Sequence, residues 1–265
     1  MAQVIEERDT PARRSVADGR TASRSELRRH LLAAPEAFLN GAIDNPGLGD
    51  EEIPLLLRNR RASPALLTRI GRDRRWTRNS EVRRLLVQHP QVPVALARTL
   101  LSHLFWKNLL EVSVNLRVHP VIRRQSERML QVRVDKLTLG EKIALARRAP
   151  RGVVSSLIHS DDSKLLRSVL GNLTLIEQDA VDIARASKTG GDVLACLAGH
   201  PKWGVRRAVR QALIRNPRTP VPVALRLIGG LPRRDLQELI RNAGVPKIVR
   251  VGAERRLEGR DVALR

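Results

Sequence analysis

Displaced by 127 positions, this sequence meets itself. Residues 42–130 align with 169–257 without a gap and share 22 identities in 89 positions, where the composition would give roughly 7 by chance. The matches fall on residues that punctuate structure. Asn45 meets Asn172, Trp76 meets Trp203, Pro90 and Pro93 meet Pro217 and Pro220, and Asn115 meets Asn242. Arg83, Arg123, Glu127 and Arg128 meet Arg210, Arg250, Glu254 and Arg255. Such a chain is expected to stack similar units along a continuous core instead of closing around one centre.

A shorter beat runs inside each copy. His89 to Asn115 and Asn216 to Asn242 are each 26 residues, room for two short helices and their turns. In the second copy Val205, Ala208, Val209, Ala212 and Leu213 fall at i, i+3, i+4, i+7 and i+8, one face of a helix over 204–215. Asn216-Pro217 ends it, because a residue before proline avoids the α region. Thr219 is expected to cap the next helix, with Pro220 at the first position, where a missing N–H costs nothing. The first copy follows with Val82, Leu85, Leu86, His89-Pro90, Pro93, Leu96, Ala97, Leu100 and Leu101. No alternating stretch is long enough for a strand. Helices of about 10 residues are marginal alone in water. The expected fold is therefore all-α: a right-handed α-solenoid of short helical hairpins, curved, over residues 25–257.

These turns resemble those of HEAT-like repeat proteins, most of all the bacterial leucine-rich-repeat-variant type. The motif reads Trp203, Val205, Arg206, Asn216, Pro217, Thr219, Pro220, with an earlier copy at Trp76, Val82, Arg83, His89, Pro90, Val92, Pro93. It departs at His89, which replaces Asn, and at Val92, which lacks the hydroxyl. The resemblance implies a scaffold and no particular activity. The N-terminal cysteine cluster of some such proteins has no counterpart, since residues 1–40 contain no Cys.

Residues 1–24 are polar and charged, with little to bury, and are expected to be disordered; Ser25 marks the expected first helix start, and 258–265 form a tail. No apolar core of a signal peptide follows the first basic residues, and no 18-residue apolar stretch could cross a membrane. With a single Cys, Cys196, a disulfide scaffold or multi-Cys metal site is excluded. A cytoplasmic protein without cofactor or metal is expected.

Charge is the second constraint. The chain has 49 Lys+Arg against 27 Asp+Glu, a net +22. Residues 1–40 are nearly neutral, so the excess lies on the folding part. Arginine dominates, and its planar fork suits phosphate and carboxylate. A GC-rich genome would also enrich arginine without selecting for binding. Repeated Arg83, Arg123, Arg210 and Arg250 are expected to be structural. The expected polyanion-binding set is Arg84, Arg124, Arg206, Arg207, Arg215 and Arg218.

Other chemistry finds bland explanations. His89, His119 and His200 precede Pro and are expected to be turn residues. Asp161-Asp162 mark a helix start, Gly190-Gly191 and Gly229-Gly230 mark helix ends, and Cys196 is expected in the core. Trp76 and Trp203 should pack; Trp106, opposite Arg233, is the one Trp the repeat leaves unexplained, a candidate for exposure and function. The expected function is a non-enzymatic scaffold holding nucleic acid through its backbone or an acidic protein face, with no membrane or small-molecule partner expected. Aromatic residues are only 2%, too few to stack single-stranded bases. One alternative is a protein–protein scaffold with incidental basicity. Another is a HEAT-like DNA glycosylase, for which Asp73 near Trp76 and Asp235 are the available carboxylates.

Overall fold

The computed structural model describes residues 15–259 and is all-helical over that span. The chain divides into two compact units, 1–133 and 134–265. Unit 1 holds α1 (Val16–Thr21), α2 (Arg24–His30), α3 (Glu36–Ala42), α4 (Ile53–Arg58) and α5 (Pro64–Arg72). It continues with α6 (Arg74–Thr77), α7 (Ser80–Gln88), α8 (Val94–Leu101), α9 (Trp106–Val114) and α10 (Pro120–Arg133). Its helices form two layers. One runs α4, α7, α9; the other runs α5, α8, α10, and α7 packs on α5 and α8 while α9 packs on α10.

Unit 2 holds α11 (Leu139–Ala146), α12 (Arg151–Leu157), α13 (Ser163–Leu170), α14 (Glu177–Arg185) and α15 (Gly191–Gly199). It ends with α16 (Arg207–Arg215), α17 (Val221–Gly229), α18 (Arg233–Arg241) and α19 (Lys247–Leu257). Here α13, α15, α17 and α19 pack in succession, and α14 packs on α16. Helix starts recur at one offset: Arg24 and Arg151, Pro64 and Gly191, Ser80 and Arg207, Trp106 and Arg233, Pro120 and Lys247 are each 127 apart.

Each helix is short, so its ends matter as much as its face. The last four carbonyls of a helix lack an intrahelical partner, and turn asparagines supply donors to carbonyls at and just beyond helix ends. The Asn59 amide donates to the carbonyls of Leu31 and Ala34, both at 2.8 Å, and its oxygen accepts from the Arg61 N–H. Asn45 does the same for Gly19 and Ala22, Asn172 for Ala146 and Ala149, and Asn216 for Ala184 and Ala186. His89 stands in for the amide: Nε2 lies 3.1 Å from the Asn59 carbonyl and Nδ1 accepts from the Gln91 N–H. This fixes the proton on Nε2 and makes His89 a turn residue. Trp76 and Trp203 are buried, each with the preceding cation over its ring, Arg75 at 4.2 Å and Lys202 at 4.1 Å. Asp162 caps α13, Gly190 precedes α15 and Gly230 follows α17, so these are helix-end residues.

Several expectations are corrected. Residues 15–24 are not disordered: Ser15 and Ser23 form capping boxes with Asp18 and Glu26 and start α1 and α2. Helix α1 buries Gly19 and no large side chain. A Cβ on Gly19 would strike the Phe38 carbonyl, and one on Gly41 the Val16 carbonyl, so α1 and α3 touch backbone to backbone. The expected disorder of residues 1–14 and the tail at 260–265 lie outside the described residues.

Helix α16 begins at Arg207, not 204, and Val205 is 70% exposed. The Val-Arg pair of this copy whose valine is buried is Val209–Arg210, the counterpart of Val82–Arg83. Thr219 does not cap the following helix. Its hydroxyl donates backward to the Leu213 carbonyl at 2.6 Å, as Thr189 does to Ile183. Cys196 is exposed, since Val193, Leu194 and Leu197 define the buried stripe of α15 and Cys196 lies beyond its edge.

Two substitutions test this account. Asn59→Ala strands two buried carbonyls and is expected to lower unfolding stability by about 2 kcal/mol in urea titrations. Burial holds the His89 ring below its ordinary range, the bond to Asn59 opposing only part of that shift. The unfolded ring therefore binds protons more readily, so the His89 contribution is full above pH ~6.5 and lost as pH falls below it. His89→Asn should remove that acid-side limb, measured by unfolding between pH 5 and 8.

Candidate functional site

The surplus of cations is the functional signal in this chain, so the question is which guanidinium groups are already occupied. In the α4–α7–α9 layer they form a ladder with carboxylates. Arg24 and Arg28 both reach Glu52, at 2.8 and 2.7 Å, and the Glu52 side chain is fully buried. Arg58 lies 3.7 Å from Glu81, Glu81 pairs with Arg84 at 2.5 Å, and Arg84 reaches Glu111 at 3.5 Å. Unit 2 repeats the first rung 127 residues on, where Arg151 pairs with buried Asp179 at 2.9 Å.

A second group of arginines caps helix ends in place of carboxylates. Arg83 donates to the carbonyls of Thr77 and Arg78, Arg133 to Leu104 and Ser102, and Arg210 to Leu227. The repeated Arg83, Arg123, Arg210 and Arg250 share a further feature: each buries its Nε without a hydrogen-bond partner. Burying a donor in this way is costly, so the rest of each side chain must pack well. Arg83 and Arg210 combine this burial with the helix-end bonds above.

Of the six arginines expected to bind a polyanion, five have internal partners. Arg84 is held by Glu81 and Glu111; Arg206 lies 3.9 Å from Glu177; Arg207 reaches Asp235 at 3.1 Å; Arg215 reaches Glu238 at 3.4 Å. Arg218 donates to the Lys188 carbonyl at 3.2 Å. Arg124 alone is exposed and without a partner among the described residues. The six are also divided between the units, two in the first and four in the second. The sequence alignment placed residues on helices but could not show which acids of neighbouring helices come within reach.

Two cations that sequence reasoning did not include, Arg98 and Arg128, lie with Arg124 on the α5–α8–α10 layer. Arg98 on α8 and Arg124 on α10 are 26 residues apart, equivalent places on packed helices, and Arg128 follows one turn after Arg124. All three are exposed, with no ion pair among the described residues. The offset of 26 was the signal that could have joined them. In unit 2 the positions 127 later than Arg98 and Arg124 hold Leu225 and Val251, and only Arg128 keeps a counterpart, Arg255, so the three-arginine set is particular to unit 1.

Other candidates are accounted for. Asp73 caps α6 by accepting from the Arg75 N–H, and Asp235 is engaged by Arg207. Neither is a free carboxylate for catalysis. Trp106, the candidate for exposure, is half-buried, with the Lys107 ammonium 5.7 Å from its ring centre. Among the described residues there is no cluster that could hold a metal ion and no helix long and apolar enough to cross a membrane.

Burial would raise the Glu52 carboxyl, but hydrogen bonds from Arg24 and Arg28, with the Gly49 N–H, hold it down at about 2. A depressed carboxyl stabilises the fold above its unfolded value, and that contribution is lost as pH falls from the usual carboxyl range, ~4.3, toward 2. Glu52→Gln should flatten this acid limb in unfolding curves and lower stability at neutral pH. No protein-family model, curated protein or solved structure matches this chain.

Proposed function

We propose that this chain is a non-enzymatic binding scaffold whose unit 1 holds a polyanion, the backbone of duplex nucleic acid, on the α5–α8–α10 layer. The observation that carries this reading is a contrast between arginines of unit 1. Arg58 and Arg84 on α4 and α7 pair with Glu81 and Glu111, and Arg69 on α5 with Asp44, whereas Arg98, Arg124 and Arg128 make no ion pair among the described residues. Uncompensated cations on one face attract anionic partners, and contact with phosphates releases counterions. Scarce aromatics favour a duplex contacted through its backbone over stacked single strands. The architecture proposed with it is a duplicated, right-handed α-solenoid of HEAT-like hairpins, supported by helix starts recurring at 127 residues and by the shared asparagine turns. A cytoplasmic setting is proposed on the sequence alone.

The internal pairing of five of the six expected arginines favours a second reading, a protein–protein scaffold whose basicity is largely structural. A salt series with a random-sequence duplex separates them. Charge reversal at Arg98, Arg124 and Arg128 together should reduce the slope of log affinity against log salt by about 3. Arg84→Gln should leave the slope unchanged. Absence of duplex binding at 50 mM salt would favour the protein scaffold.

A further inference from the structure

Unit 1 carries a second feature, remote in role from the arginines of α8 and α10. An open groove of about 530 Å³ crosses the turns that follow α4, α7 and α9. Leu57, Leu85 and Pro90 supply apolar surface, and Arg58, Arg60 and Arg117 supply positive charge, with no carboxylate in the lining. Arg58 is shared with Glu81. The side chains of Arg60 and Arg117 are exposed and unpaired among the described residues. The residues 127 positions later are Ser187 and Gly244, so these two charges are particular to this groove.

Four physical constraints select an occupant. It must be anionic, because Arg60 and Arg117 line the groove unpaired among the described residues and no carboxylate lines it. It must bring apolar surface to cover Leu57, Leu85 and Pro90. It must tolerate the C-terminal ends of three helices, which carry partial negative charge; a ligand with N–H donors as well as carboxylates meets that mixed field better than phosphates do. It must do without base stacking, because no Phe, Tyr or Trp lines the groove. Helices packed at ~9 Å put the turns after α4 and α9 roughly 18 Å apart, the length of five or six extended residues at ~3.3 Å each.

We propose that this groove binds a short, extended acidic segment of a partner protein, its carboxylates on Arg60 and Arg117 and an aliphatic side chain over Leu57 and Leu85. The site stands independently of duplex binding on the α8–α10 face. The probe is a fluorescent, end-blocked hexapeptide alternating glutamate and leucine, titrated by anisotropy against the full chain. Its glutamine–leucine counterpart is titrated in parallel. Binding of the acidic peptide should weaken at least tenfold in the Arg60→Glu/Arg117→Glu double variant. It should persist in Arg98→Glu/Arg124→Glu, and the glutamine peptide should bind at least tenfold more weakly than the acidic one. Both pairs of arginines are exposed, and thermal melts establish that the variants remain folded. The proposal is overturned if the acidic peptide fails to bind at 1 mM, if both variants bind it equally, or if the glutamine peptide binds as well. It is also overturned if Arg60→Glu/Arg117→Glu abolishes duplex binding while leaving peptide binding intact.

Discussion

Unmet carbonyls at the ends of short helices are the constraint on which this structure depends. In a nine-residue helix such as α7 or α16, four terminal carbonyls are close to half of the total. A long helix can leave such groups to water at its exposed tip, but here the tips meet neighbouring turns. The Asn59 and Asn172 side chains reach back 23 to 28 residues to carbonyls of an earlier turn. Each such bond therefore closes a helix and fastens successive turns in one step. Thr189 and Thr219 satisfy carbonyls within the same hairpin. The arginines do so with longer reach, Arg133 spanning 29 and 31 residues to Leu104 and Ser102.

This requirement changes the meaning of the charge. A guanidinium brings five donors in a rigid fork, so a fold with many helix ends can use arginine where a longer-helixed fold needs none. Arg83, Arg210 and Arg133 are donors first and cations second. The carboxylate ladder takes another share, with Glu52 and Asp179 buried beneath their arginines in the two units. Net charge alone therefore overstates what a partner meets, and the locations of unpaired groups matter more than their number.

Much of this was legible in sequence because the pattern that sets a turn is local. Asn-Pro pairs, Pro93 and Pro220, and the apolar spacing of Val82, Leu85 and Leu86 all act within one hairpin. The aligned tryptophans were buried as expected for the same reason. Failures came where the deciding contact was distant. Helix α1 offers no apolar stripe, and its packing rests on Gly19 meeting the backbone of α3; a composition that looks too polar to fold conceals a close approach that needs no side chain. The hydroxyl of Thr219 is placed for either of two helices, and the position of the Leu213 carbonyl decides between them. Arg207 and Arg215 looked available on a helical wheel, but Asp235 and Glu238 on α18 stand opposite them.

The same distinction bears on where binding energy can arise. An arginine already paired would have to release its carboxylate to take a phosphate, leaving that acid unmet; for the rungs on buried Glu52 or Asp179 the exchange is prohibitive, since a buried charge without its partner costs several kcal/mol. Exposed pairs such as Arg207–Asp235 are worth little, yet the acid that remains repels the incoming anion. Arg98, Arg124 and Arg128 make no ion pair among the described residues and so have no carboxylate to release. Their side chains lose only rotamer freedom on contact, and the counterions they shed favour association. An anion arriving at these three arginines would therefore displace no carboxylate, which is the physical basis of the binding face proposed for α8 and α10.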